Sequence, residues 1–222
     1  MKKKKESVKT EIIDENVTLY TIFKRISDLI IGLIGCLFLI PLYIGVKIAC
    51  LITRDNAPIL FKQQRIGKNG EPIYIYKFRS MVPNADEMLF KLMEENPEIK
   101  KEYKKYKKLK NDPRITKVGK FIRATSIDEF PQFINVLKGD MSLVGPRPYL
   151  FREKEDMGEY FDIITKCKPG VTGYWQVNGR SGTDFDHRLV LDEYYYHHRN
   201  LILDAKILLK TFIKVFKKEG AE

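Results

Sequence analysis

The chain has 222 residues, 44% of them hydrophobic and 31% charged, with a formal net charge of +11. That length allows one substantial core, or one core with an appendage, and excludes a peptide hormone or a disulfide knot; Cys36, Cys50 and Cys167 share no C-x-x-C spacing and read as small hydrophobes in a reducing compartment. The basic excess calls for an anionic partner, whether nucleic acid, phospholipid or a phosphorylated substrate, without choosing among them.

In chain order, residues 1–21 read as a mobile basic tail and residues 22–53 as a membrane helix. The stretch 29–46, "LIIGLIGCLFLIPLYIGV", carries no charge and sits at the lower edge of what a helix needs to span a bilayer. A cleaved signal peptide fits poorly, since Lys47 precedes the small residues and no A-x-A pattern follows; a lipoprotein site at Cys50 meets the same objection. Pro41 lies inside the run, where it removes a helix hydrogen bond. Positive residues flank both ends, Lys24 and Arg25 before and Lys47 and Arg54 after, and positive charge marks the cytoplasmic side. A re-entrant helix kinked at Pro41 satisfies both flanks; a straight span and a soluble core helix stay open.

Residues 54–222 read as the working domain. Period-2 alternation around Ile73 and Ile75, after the turn signal Lys68-Asn69-Gly70, predicts a small β-hairpin over 59–81 with Lys77 and Arg79 near its end. A long polar helix is expected from Asn84 to about Lys110, opened by an Asn84/Glu87 capping box. Within "RATSIDEFPQF" another helix begins, with Ser126 or Asp128 as cap, Pro131 in its first turn and Gly139 after its end. Alternation at 174–177 reads as a short strand. The last helix sets Lys206, Lys210, Lys214 and Lys217 against an apolar face, as a membrane-surface helix or an ordinary core helix would. The fold class is therefore α+β and mainly helical: an N-terminal membrane helix, a hairpin and surface amphipathic helices.

Familiar chemistry is missing. His187, His197 and His198 show no zinc-like spacing, and neither a Walker loop nor G-x-G-x-x-G opening a βαβ unit occurs. What remains is a carboxylate pair, Asp128-Glu129, among cations held at Gly/Pro-punctuated loops: Arg123, Arg147 and Arg180, with Lys77 and Arg79. Arginine forks suit phosphate oxygens, and a carboxylate among them can attack phosphorus or hold Mg²⁺ against a diphosphate. Taken by spacing alone, the pair also fits a plain helix cap.

Together, "KRISDLIIG", "QQRIGKNGEPIYIYKFRSM", "DPRITKVGKFIRATSIDEFPQFINVLKGDMSLVGPRP", "KPGVTGYWQVNGRSG" and "LDEYYYHHRNLILDAKILLKT" resemble the bacterial sugar transferases, the monotopic polyprenyl-phosphate hexose-1-phosphate transferases, over about residues 22–217. The resemblance implies that a UDP-sugar meets Asp128 and Glu129 with Mg²⁺, that Asp128 attacks the phosphate next to the sugar and expels UMP, and that undecaprenyl phosphate takes up the sugar phosphate. It places Arg123, Arg147 and Arg180 on phosphates or nucleotide, Lys77 and Arg79 in a matching basic motif, Asp128 beside the metal and Pro41 at the membrane break. It implies a bacterial inner membrane protein facing the cytoplasm, at the first membrane step of capsule, exopolysaccharide or glycan synthesis. The sugar leans towards galactose or glucose. Here Ile40 replaces the serine that often precedes the proline, and residues 1–21 stand where longer relatives carry extra transmembrane helices, so a minimal form is expected. The sequence leaves the oligomeric state open, a homodimer included. The competing class is a membrane-anchored basic module that binds polyanions without catalysis; "EYYYHHR" interleaves aromatic and basic residues, but no nucleic-acid motif accompanies it.

Overall fold

The computed structural model describes the backbone of residues 2–179 and 183–217, and the side chains of those from residue 19 onward other than residue 216. Helix α1 runs from Lys2 to Ile52. Helical backbone continues through the stretch read as a tail, and through Pro41, which lies within one helix rather than between two. Its portion Leu19–Ile52 is long and apolar enough to cross a membrane, and only 17% of its most apolar window is buried, so it is not a core helix.

What α1 does bury is a single seam. Tyr20, Lys24, Asp28, Gly32, Gly35, Leu39, Leu42, Val46 and Cys50, three or four residues apart, face the rest of the chain. A Cβ at Gly35 would sit inside the Phe133 ring, so glycine there is what lets the two backbones meet. The outward face is apolar, with Ile30, Leu33 and Leu37 more than half exposed. The helix thus lies along the domain on both sides of Pro41.

Strands β1 (Leu60–Ile66) and β2 (Pro72–Phe78) form the expected antiparallel hairpin, with Phe61 opposite Lys77 and Arg65 opposite Ile73. Asn69 takes the left-handed conformation in its turn. The single polar helix expected over 84–110 is two helices, α2 (Ala85–Glu95) and α3 (Pro97–Tyr106). Pro97 cannot donate to the preceding turn, and Asn96 caps the new helix by accepting from Glu98 N at 3.0 Å and Ile99 N at 3.3 Å. Asn84 does start α2, but its side chain makes no capping bond.

Helix α4 (Lys117–Ala124) is capped by Thr116. A 3₁₀ turn, Ile127–Glu129, then leads to α5 (Gln132–Lys138), which ends at Gly139 with φ of 88°. Strand β3 (Ser142–Val144) pairs in parallel with β4 (Gly170–Thr172); between them lie α6 (Lys154–Met157) and α7 (Tyr160–Ile164). Residues 174–177, read as a strand, belong to helix α8 (Tyr174–Asn178); the strand is the preceding "GVT". Helices α9 (Phe185–His198) and α10 (Leu201–Lys217) complete the fold.

Three apolar clusters hold these elements. One joins Ile75 of the hairpin to Val136, Leu143, Tyr195 and Ile207. A second joins Val46 and Cys50 of α1 to Phe78, Val118 and Ile122, with Ile127 and Phe130 packed on it. The third lies under α7 and α9. Asn135 fixes α5 on the hairpin: its Oδ1 accepts from Tyr76 N at 3.0 Å and its Nδ2 donates to Tyr74 O at 2.7 Å.

Candidate active site

Asp128 and Glu129 sit on the 3₁₀ turn between α4 and α5, and neither Ser126 nor Asp128 caps the helix that follows. The plain cap reading of the pair therefore falls. Ser126 closes α4 in the left-handed conformation, φ 55°, its N–H on Arg123 O at 3.0 Å. That reversal brings the last turn of α4, with Arg123, beside the carboxylates.

Asp128 is buried, and burial is the first cause that lifts its carboxyl to about 6; the Glu129 charge adds to the rise, while Lys77 and Arg123 oppose it. Glu129 is less enclosed and pairs with Lys77 Nζ at 2.7 Å. Arg123 donates from Nε to Ser80 Oγ at 2.8 Å. A Cβ at Gly119 would collide with Ser80 O, so glycine lets α4 approach Ser80 closely enough for that bond. Arg123 also lines a cavity of about 500 Å³ with Lys110, Asp112, Pro113 and Lys120. Asp112 is spent on Arg114 at 2.6 Å, which leaves the lining cationic. The size suits a small organic ligand.

The predicted residues thus divide. Asp128, Glu129, Lys77 and Arg123 come together. Arg79, two residues from Lys77, is turned inward: it donates to Asp55 Oδ1 at 2.8 Å, Pro58 O at 2.6 Å and Met81 O at 3.0 Å, so its guanidinium is consumed in holding the chain after α1 rather than facing a ligand. Arg147 joins a different group, beside Glu153, Asp192 and Trp175. Arg180 lies outside the described residues. Sequence reasoning passed over Ser80, Asp55, Arg65 and Arg188. The first and third stand in quoted motifs, where a partner for Arg123 and a further cation were there to be asked about.

Among the described residues no cluster of three or more His, Cys, Asp or Glu side chains could hold a metal. Asp128 with Glu129 instead fits an ion bound by one or two carboxylates and completed by phosphate oxygens, the usual manner of Mg²⁺.

The dyad also has a fixed place relative to α1. Its flanking residues Ile127 and Phe130 pack on the cluster that contains Val46 and Cys50, and Phe130 meets Phe133 edge-on at 5.4 Å. An acidic centre framed by cations is thus seated against a long helix whose outward face is apolar. The family model of the bacterial sugar transferases matches residues 19–218, and the chain belongs to that family. It is 45% identical over 200 residues to the undecaprenyl-phosphate galactose phosphotransferase of Salmonella typhimurium, covering 89% of this chain and 41% of that protein. It is 36% identical over 208 residues to the UDP-glucose:undecaprenyl-phosphate glucose-1-phosphate transferase of Escherichia coli, covering 90% and 41%. The exopolysaccharide production protein ExoY of Rhizobium meliloti is 34% identical over 198 residues, covering 89% and 87%. The chain thus spans about two fifths of the first two relatives and most of the third.

Proposed function

We propose that this protein transfers a hexose 1-phosphate, galactose or glucose, from a UDP-sugar to undecaprenyl phosphate at the cytoplasmic face of the bacterial inner membrane. The observation that carries this reading is the buried Asp128 between Glu129, Lys77 and Arg123, packed on a helix whose outer face is apolar.

In the first half-reaction an Asp128 oxygen attacks the phosphorus next to the sugar. The bond from that phosphorus to the bridging oxygen breaks, and UMP leaves with both electrons. In the second, the phosphate oxygen of undecaprenyl phosphate attacks the same phosphorus, and the Asp128 carboxylate is the leaving group. Two displacements spare the site from holding a soluble nucleotide and a lipid phosphate at once. Lys77 and Arg123 offset charge on the transferred group, and Glu129, held by Lys77, orients the pair. Mg²⁺ held by Asp128, with Glu129 beside it, would neutralise the diphosphate and ease departure of UMP.

Contacts on both sides of Pro41 with one domain support a re-entrant or in-plane α1 over a straight span, because a span would carry one half of the helix away. The test is release of UMP by purified protein given Mg²⁺, UDP-galactose or UDP-glucose, and undecaprenyl phosphate. Asp128→Asn is expected to lose release by three orders of magnitude or more while remaining folded, with a melt no lower than the parent's; unchanged turnover in that variant would falsify the nucleophile.

A further inference from the structure

At the end of α4 remote from Arg123, a second cavity of about 380 Å³ lies between that helix and the end of α1. Ile52, Arg54 and Asp55 line it from α1 and the turn that follows, and Thr116 and Lys117 from the start of α4. The six residues from Lys117 to Arg123 span about 9 Å of helix, so this cavity stands apart from the one that Arg123 lines.

Its charge is unbalanced. Asp55 is partly occupied: its Oδ1 accepts from Arg79 at 2.8 Å and from Ala57 N at 3.3 Å, which leaves Oδ2 for a ligand. Arg54 and Lys117 are exposed, and among the described residues neither side chain has an ion pair or a hydrogen bond. Arg54 also takes the position after a helix end that favours glycine. Its φ is 55°, its N–H bonds Leu51 O, and the N–H of Asp55 bonds Cys50 O. An arginine held where glycine is easier, its side chain bonded to nothing within the protein, has its use outside it.

The surroundings are apolar on two sides. Ile48, Leu51 and Ile52 on the last turns of α1, and Phe121 one turn after Lys117 on α4, are each more than half exposed. Cations at the end of a long apolar helix sit at headgroup depth, and a guanidinium beside an amine suits a phosphodiester. A soluble anion would leave the exposed isoleucines and Phe121 in water, whereas acyl chains cover them.

We propose that Arg54, Lys117 and Asp55 form a binding site for an anionic glycerophospholipid of the cytoplasmic leaflet. Its phosphate meets the two cations, its headgroup hydroxyls donate to Asp55 Oδ2, and its acyl chains lie on Ile48, Leu51 and Phe121. One lipid then ties the end of α1 to the start of α4 and sets the depth at which the domain rides.

The full-length protein in detergent is given dioleoylphosphatidylglycerol, dioleoylphosphatidylcholine or undecaprenyl phosphate in steps, and native mass spectrometry counts the lipids retained. One phosphatidylglycerol is expected to bind, at least tenfold more tightly than phosphatidylcholine, and at least fivefold more weakly in Arg54→Gln and in Lys117→Gln. Arg54→Gly separates binding from folding, since glycine suits the backbone there: the lipid should be lost while the melt stays no lower than the parent's. Arg123→Gln should retain the lipid. Equal retention of the two phospholipids, undiminished affinity in the Arg54 and Lys117 variants, or loss of the lipid in Arg123→Gln overturns the site. So does displacement of phosphatidylglycerol by equimolar undecaprenyl phosphate, which gives the cavity to the acceptor instead. UMP release by a protein that retains no phosphatidylglycerol sinks the site and spares the transferase reading; retention without release does the reverse.

Discussion

Lys77 and Arg79 are two residues apart at the end of β2, yet one pairs with Glu129 and the other is buried against Asp55 and backbone carbonyls. The sequence shows two cations in a basic motif; only packing decides which one keeps a free face. At Asp128 the consequence is a pH dependence. Its carboxyl is raised to about 6, so kcat/KM for UMP release is expected to fall tenfold per pH unit below that value. Lys77→Met removes a cation that holds the carboxyl down, and the acidic limb should move to higher pH. The same shift has a stability cost of known sign. A carboxyl raised on folding contributes stability below its ordinary range and loses that contribution as pH rises through about 6. Asp128→Asn should therefore melt higher than the parent at pH 8, by roughly 1–3 kcal/mol, with the gap closing towards pH 4. A melt that is lower at pH 8 counts against the buried carboxylate.

Among the elements, those set by local rules were the readable ones. The hairpin followed from its turn and alternation, and α10 from its spacing. The break at Asn96-Pro97 obeys equally local chemistry, but it was hidden beneath a continuous polar pattern that both one helix and two can satisfy. Residues 174–177 alternate in polarity yet are helical, because Gly173 starts a turn of helix that buries Val177 against the shared core. Docking of α1 on α5 was not legible at all, since it depends on which face of an almost wholly apolar helix meets Phe133. Two substitutions probe it. Gly35→Ala should push the helices apart and cost about 1–3 kcal/mol in a detergent melt. Arg25→Gln removes donors to Val136 O at 2.6 Å and Leu137 O at 2.8 Å, the end of the helix that follows the dyad, and should slow UMP release as well as lower the melt.

At the scale of the whole molecule, Lys24 and Arg25 counted in the sequence as cations marking a membrane side, whereas both are bonded inside the protein. The topology must then rest on how α1 lies. With the three native cysteines replaced, single cysteines at Lys9 and Asn56 are expected to be labelled only from the cytoplasm; labelling of either from outside restores the straight span. The dyad, Lys77 and Arg123 were legible as one site only once their motifs were read together, and Arg147 was assigned to it although the fold sets it with Arg65 and Arg188. The clasp at the start of α1 carries a consequence in time. Lys24 meets Asp204 at 2.6 Å across 180 residues, and Tyr20 reaches the same carboxylate at 2.9 Å. At about 5–20 residues per second of synthesis, the nascent helix waits on the order of ten to forty seconds for that partner. During the wait its amine has no carboxylate there to meet, so the first helix made is locked in place by nearly the last, and nascent chains stalled before Asp204 should leave α1 open to protease.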